Sequence, residues 1–183
     1  EKNENIVAIT TAMPDGTGLK KFANQYPDRF FDVGIAEEHA VAVVSGAAKG
    51  KLKPVMCVLS SFLQRTFDQL MQDLALNKTP ATILVYGGGL SGADETHVGS
   101  FDVVMTSAVP NLTCLAPASK TEYLGALEWA IKQTETPVVI RVPDEETSEN
   151  GTAFNPSDIL GYKTQKVGEK VAVFALGTML NTA

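Results

Sequence analysis

Seven short apolar runs, each set off from the next by a turn signal or a helical pattern, constrain this chain more than any other feature. They occupy residues 6–10, 30–33, 54–59, 82–86, 112–116, 138–142 and 171–175. They are rich in Val, Ile and Leu, and most lack polar alternation, which is how strands buried on both faces read. Helical patterns fill the gaps. Residues 36–49 repeat small and apolar side chains at Ala36, Ala40, Val44, Ala47 and Ala48, and residues 63–77 place Leu63, Phe67, Leu70 and Leu74 on one stripe. Residues 121–134 carry Leu124, Leu127, Trp129 and Ile131 behind the capping box Ser119-Lys-Thr-Glu122. Strands alternating with helices predict an α/β fold, a doubly wound and mostly parallel sheet with helices on both faces. Ligands of such sheets sit beyond the carboxyl ends of the strands. A site is therefore expected in the loops after Thr10, Val33, Leu59, Tyr86, Ala116 and Val142.

Composition narrows the function classes. Of 183 residues, 44% are hydrophobic and 20% charged, enough apolar material for a core, and the net charge of -6 gives no electrostatic basis for binding nucleic acid or an anionic membrane surface. No apolar run approaches the roughly 20 residues that span a bilayer. Glu1–Asn5 is charged and runs directly into an apolar strand, unlike a signal peptide. Both cysteines, Cys57 and Cys114, lie in apolar runs and are expected as buried core thiols, consistent with a cytoplasmic location. With two histidines, His39 and His97, a zinc cluster is not expected. From Asp144 the chain turns polar. The expected organisation is a domain over 1–145, a linker over 146–170, and over 171–183 a strand and glycine turn that begin a truncated C-terminal domain.

Three segments have the makings of a site. In Asp32-Val-Gly-Ile-Ala-Glu37-Glu38-His39-Ala40 a strand ends, a glycine turns and a helix opens on two carboxylates. Acidic residues in a first turn complement the helix dipole. On the helical wheel, however, Glu37 shares its face with Ala40, Val41 and Val44, and a carboxylate on an apolar face needs a partner. In Leu59-Ser-Ser-Phe62-Leu-Gln-Arg65, Phe62 lies outside the stripe that begins at Leu63; it either packs at a helix start or offers its face to a flat heterocycle. The stretch from Gly87 to Gly99 has five glycines in thirteen residues, which allows close backbone approach to a ligand. It contains G-x-G-x-x-G, but neither at the first strand nor opening directly into a helix, so a dinucleotide site is not expected. Asp94 and His97 are spaced to meet across a turn, although a loop histidine is commonly just solvated.

Together with Ile9-Thr-Thr-Ala-Met-Pro-Asp-Gly-Thr-Gly18, Tyr26-Pro-Asp-Arg-Phe-Phe-Asp32, Phe67-Asp-Gln69 and Thr96-His97, these segments closely resemble the 1-deoxy-D-xylulose-5-phosphate synthase family of transketolase-like enzymes. The resemblance covers about residues 5–143, the pyrimidine-binding domain. It implies a thiamine-diphosphate-dependent transferase that joins pyruvate to glyceraldehyde 3-phosphate with loss of carbon dioxide. It implies that Glu37 hydrogen-bonds N1′ of the aminopyrimidine and thereby promotes loss of the thiazolium C2 proton. Phe62 would stack on that ring, Arg65 would line the cofactor site, and Asp94 and His97 would face substrate, His97 assisting proton transfer. The diphosphate and Mg2+ would be held by a separate diphosphate-binding domain, of the parent chain or a partner subunit, in a homodimer. Its Gly-Asp-Gly…Asn signature does not occur in these 183 residues, so this piece alone is expected to be inactive.

The family usually has arginines where Gly87 and Asp144 stand here, and both help to bind the substrate phosphate. A missing charge and a reversed one leave open a transketolase-like enzyme with a different acceptor, or a non-catalytic assembly domain.

Overall fold

The computed structural model describes residues 3–89, 96–143, 148–149, 151–159 and 161–183. Six strands form one sheet: β1 (Ile6–Thr10), β2 (Phe30–Asp32), β3 (Lys53–Leu59), β4 (Thr82–Tyr86), β5 (Thr113–Leu115) and β6 (Val138–Arg141). Their order is β2-β1-β3-β4-β6-β5, and every neighbouring pair is parallel. The helices are α1 (Lys20–Gln25), α2 (Glu37–Lys49), α3 (Ser60–Leu63), α4 (Phe67–Gln69), α5 (Asp102–Ser107) and α6 (Lys120–Lys132). The expected parallel α/β sheet is what forms.

Alternate residues of each central strand enter two separate cores. Val7, Ile9, Met56, Val58, Ile83, Val85 and Val139 pack with Ala40, Val41 and Val44 of α2 and with Leu63, Leu70 and Leu74. Val55, Cys57, Leu84, Val138 and Ile140 face the opposite way, onto Ala126 and Ala130 of α6. Burial on both faces removes any need for polar alternation, which is why the runs read as continuously apolar. The Ser119 cap forms, its Oγ accepting from the Glu122 N–H at 3.2 Å. Glu122 Oε2 reaches back to the Ala118 N–H at 2.8 Å, one residue before the cap.

Three expectations change. The helix anticipated over 63–77 is broken into α3, a 3-10 turn at Gln64–Thr66, α4 and a π-helical turn at Leu70–Ala75. The wider turn leaves the Asp73 carbonyl to accept from the hydroxyls of Ser45 (3.1 Å) and Thr79 (3.2 Å). Residues 171–175 form no strand and are exposed, with no neighbouring strand among the described residues to complete a ladder. Cys114 is exposed because β5 is the edge of the sheet, whereas Cys57 on β3 is buried. Among the described residues no helix is long and apolar enough to cross a membrane.

Burial pushes the Cys57 thiol up from 9.0 to about 12, partly offset by a hydrogen bond with Tyr86. The unfolded thiol loses its proton near its ordinary value, before the folded one does, so stability falls as pH rises through this window. Cys57 alone is expected to remove about 1.4 kcal/mol between pH 8 and pH 10. Urea unfolding at the two pH values should show a smaller loss for Cys57→Ala; equal losses would contradict the assignment.

Candidate functional site

The strand order sends the chain to one side of β1 for β2 and to the other side for β3. Loops leaving the carboxyl ends of β1 and β3 therefore diverge, and this switch point is where doubly wound sheets bind ligands. Helix α2 crosses from β2 to β3, and its first turn is at this rim. The entry is set by Asp32, whose Oδ1 accepts from the Ala12 N–H (2.8 Å) and the Gly34 N–H (3.0 Å). Gly34 has φ +74°, a left-handed conformation that suits glycine at the turn into α2.

Glu37 opens α2 and is 1% exposed, while Glu38 beside it faces solvent. Its Oε2 accepts from Arg65 Nη1 at 2.9 Å, and Oε1 accepts no hydrogen bond among the described residues. The Arg65 side chain is 49% exposed. Glu37 holds the Arg65 guanidinium above its ordinary range, first by this hydrogen bond and then by its charge. On the other side the guanidinium carbon lies 5.4 Å from the centroid of the Phe62 ring. That ring meets His97 edge-on, with centroids 5.4 Å apart and planes at 88°. Four of the five residues singled out from sequence, Glu37, Phe62, Arg65 and His97, thus form one continuous chain of contacts. Asp94 lies outside the described residues, as does Asp144.

The segment bearing His97 is fastened by glycine. Gly89 and Gly99 exchange backbone hydrogen bonds at 2.8 and 3.1 Å. A Cβ on Gly99 would lie 2.2 Å from the Gly87 carbonyl oxygen and 2.6 Å from Ser60 Oγ, so only glycine fits. Arg141, at the end of β6, donates through Nε to Asp102 Oδ2 at 2.8 Å and through Nη2 to the Gly99 carbonyl at 3.4 Å. The ion-paired side chains are 16% and 2% exposed. Sequence reasoning missed this pair, and the Glu37–Arg65 pair as well, because neither 39-residue nor 28-residue separation leaves a periodic signal. It also missed Thr10 Oγ1 and Ser60 Oγ, buried hydroxyls at the carboxyl ends of β1 and β3 that have no hydrogen-bond partner among the described residues. Among the described residues no cluster of three or more His, Cys, Asp or Glu is placed to hold a metal ion.

With this geometry in view, comparison with known proteins is specific. The family model "Transketolase, pyrimidine binding domain" matches residues 1–149. The chain is 44% identical over 185 residues to the 1-deoxy-D-xylulose-5-phosphate synthase of Clostridium botulinum, covering 100% of this chain and 30% of that protein. It is 43% identical over 182 residues to the enzyme of the same name from Caldanaerobacter subterraneus, covering 98% of this chain and 29% of the relative. The chain thus spans about 30% of the length of such relatives. Among solved structures it is similar to a split-gene transketolase described as an inactive beta4 tetramer, with TM-score 0.69 and 26% identity, covering 85% of this chain and 51% of that one. A Pichia stipitis transketolase mutant in complex with fructose 6-phosphate, at TM-score 0.72 and 19% identity, covers 81% of this chain and 24% of its own; it shows the shared fold.

Breaking the Asp102–Arg141 pair from one side strands a buried charge. Arg141→Met should cost about 3–5 kcal/mol in urea unfolding. The double variant with Asp102→Asn should regain part of that loss, and a single variant as stable as the parent would show the pair to be dispensable.

Proposed function

Because the chain belongs to the transketolase pyrimidine-binding domain family, we propose that its rim cluster receives the aminopyrimidine of thiamine diphosphate in an enzyme of the 1-deoxy-D-xylulose-5-phosphate synthase type. The observation that carries this reading is Glu37, a carboxylate at 1% exposure with one oxygen in an ion pair and the other accepting no hydrogen bond among the described residues. A carboxylate held almost wholly out of water is costly, and a protonated ring nitrogen relieves that cost. The residues beside it fit a flat heterocycle: a half-buried benzyl ring with a cation on one side and an imidazole at its edge.

Bound thiamine diphosphate would supply the nucleophilic carbon that cleaves the bond next to a donor carbonyl. In this scheme Glu37 Oε1 holds or releases the proton shared with the ring nitrogen. Phe62 orients the ring, and Arg65 holds the carboxylate. His97, exposed at the rim, positions the substrate and moves a proton to or from it. Asp94 is assigned to the substrate on resemblance alone. The diphosphate and Mg2+ belong to a second domain, of the same chain or of a partner subunit in a cytoplasmic homodimer. Pyruvate is the donor and glyceraldehyde 3-phosphate the acceptor.

A second reading, a transketolase-like enzyme with another acceptor, is favoured by the far side of the rim. Residues 79–119 contain no Lys or Arg. Gly87 has φ +63°, a conformation that arginine adopts only with strain. Arg141 is engaged by Asp102.

Assays of the enzyme with both domains separate these readings. Carbon dioxide release from pyruvate that requires glyceraldehyde 3-phosphate supports the synthase; transfer from ketose donors without pyruvate use supports the second reading. In either case Glu37→Gln should slow turnover by about 100-fold or more. Undiminished turnover would leave only a scaffolding role for the domain.

A further inference from the structure

We propose that Arg65 is a positioning residue: by occupying Oε2 of Glu37 it fixes the carboxylate in one orientation and leaves Oε1 as the single acceptor for the ring nitrogen. The inference rests on the reading of Glu37 given above and adds to it the part that decides where the acceptor points.

A glutamate carboxyl rotates freely about its last torsion, which is broad and roughly two-fold. Burial alone does not choose between its oxygens. Among the described residues Glu37 has one side-chain partner to make that choice, the Arg65 Nη1 donor at 2.9 Å from Oε2. The guanidinium is itself held. Its backbone sits in the 3-10 turn Gln64–Thr66, pinned by the buried Thr66 hydroxyl donating to the Leu63 carbonyl at 2.7 Å. Its planar head lies 5.4 Å from the Phe62 centroid. The same cation therefore ties the carboxylate to the ring proposed to stack on the cofactor, and sets their separation. A guanidinium is suited to this because its donors have a fixed fork and its face packs on an aromatic; an ammonium keeps the charge but not the plane. Half of the Arg65 side chain remains in water.

The test uses the enzyme with both domains and measures two quantities for the parent, R65M, R65K and E37Q: the dissociation constant for thiamine diphosphate, and the rate at which the C2 proton of the bound cofactor exchanges with heavy water. R65M is expected to slow exchange by about 10- to 100-fold at saturating cofactor, the scale of a misplaced catalytic group, while the dissociation constant changes by less than about 5-fold, or 1 kcal/mol. R65K is expected to recover part of the rate. Exchange in R65M within about two-fold of the parent overturns the inference. So does a loss that excess cofactor erases, because Arg65 would then be a binding residue only. If R65M does not fold, R65Q takes its place, with the same expectations. Slow exchange in E37Q together with parent-like exchange in R65M removes the role of Arg65 alone. Parent-like exchange in E37Q removes the reading of Glu37, and this inference with it.

Discussion

A buried carboxylate that has to be satisfied is the constraint around which the rim of this sheet is arranged. Glu37 faces the same core as Ala40, Val41 and Val44. Ion pairing with Arg65 makes that placement tolerable, and the pair joins two elements that follow different strands, the start of α2 after β2 and the turn after β3. Neither partner is stabilised in this way without the crossover that puts β2 and β3 on opposite sides of β1. The topology thus sets the switch point and brings the two charges together beside it.

The far side of the same rim uses a second buried pair for a different purpose. Arg141 and Asp102 link the end of β6 to the first turn of α5, and Arg141 also reaches the Gly99 carbonyl. Gly99 in turn bridges to Gly89. The glycines permit close backbone approach, and the ion pair holds the returning strand of the loop in place. His97, two residues before Gly99, thereby meets Phe62. Rigid elements support the exposed histidine, an arrangement suited to the role at substrate proposed for it.

Much of this was legible in the sequence, and the rest was not for identifiable reasons. The six strands of the sheet and the α2 and α6 helices follow from local patterns: runs too short for helices, apolar faces at helical spacing, and a Ser-x-x-Glu cap. Glu37 stood out because its neighbours at helical spacing are apolar, a local property. The short α5 was missed because Asp102–Ser107 is only six residues and carries no long periodic stripe. The π-helical turn depends on hydroxyls from Ser45 and Thr79, which no pattern within the helix reveals. Residues 171–175 have the composition of a strand but gain no ladder, since strand propensity expresses packing against neighbours. Cys114 sits in an apolar run yet is exposed, because sequence does not say which strand is the edge. Both ion pairs join residues distant in sequence, and such pairings are written in topology.

We propose that Glu37 Oε1 meets the ring nitrogen of the aminopyrimidine. Nitrogen-15 NMR of thiamine diphosphate labelled at N1′, bound to the enzyme with both domains, tests it most directly. A strong shift of the N1′ resonance on binding to the parent, absent on binding to the Glu37→Gln variant at equal saturation, is the predicted result. The same shift in both would contradict the account.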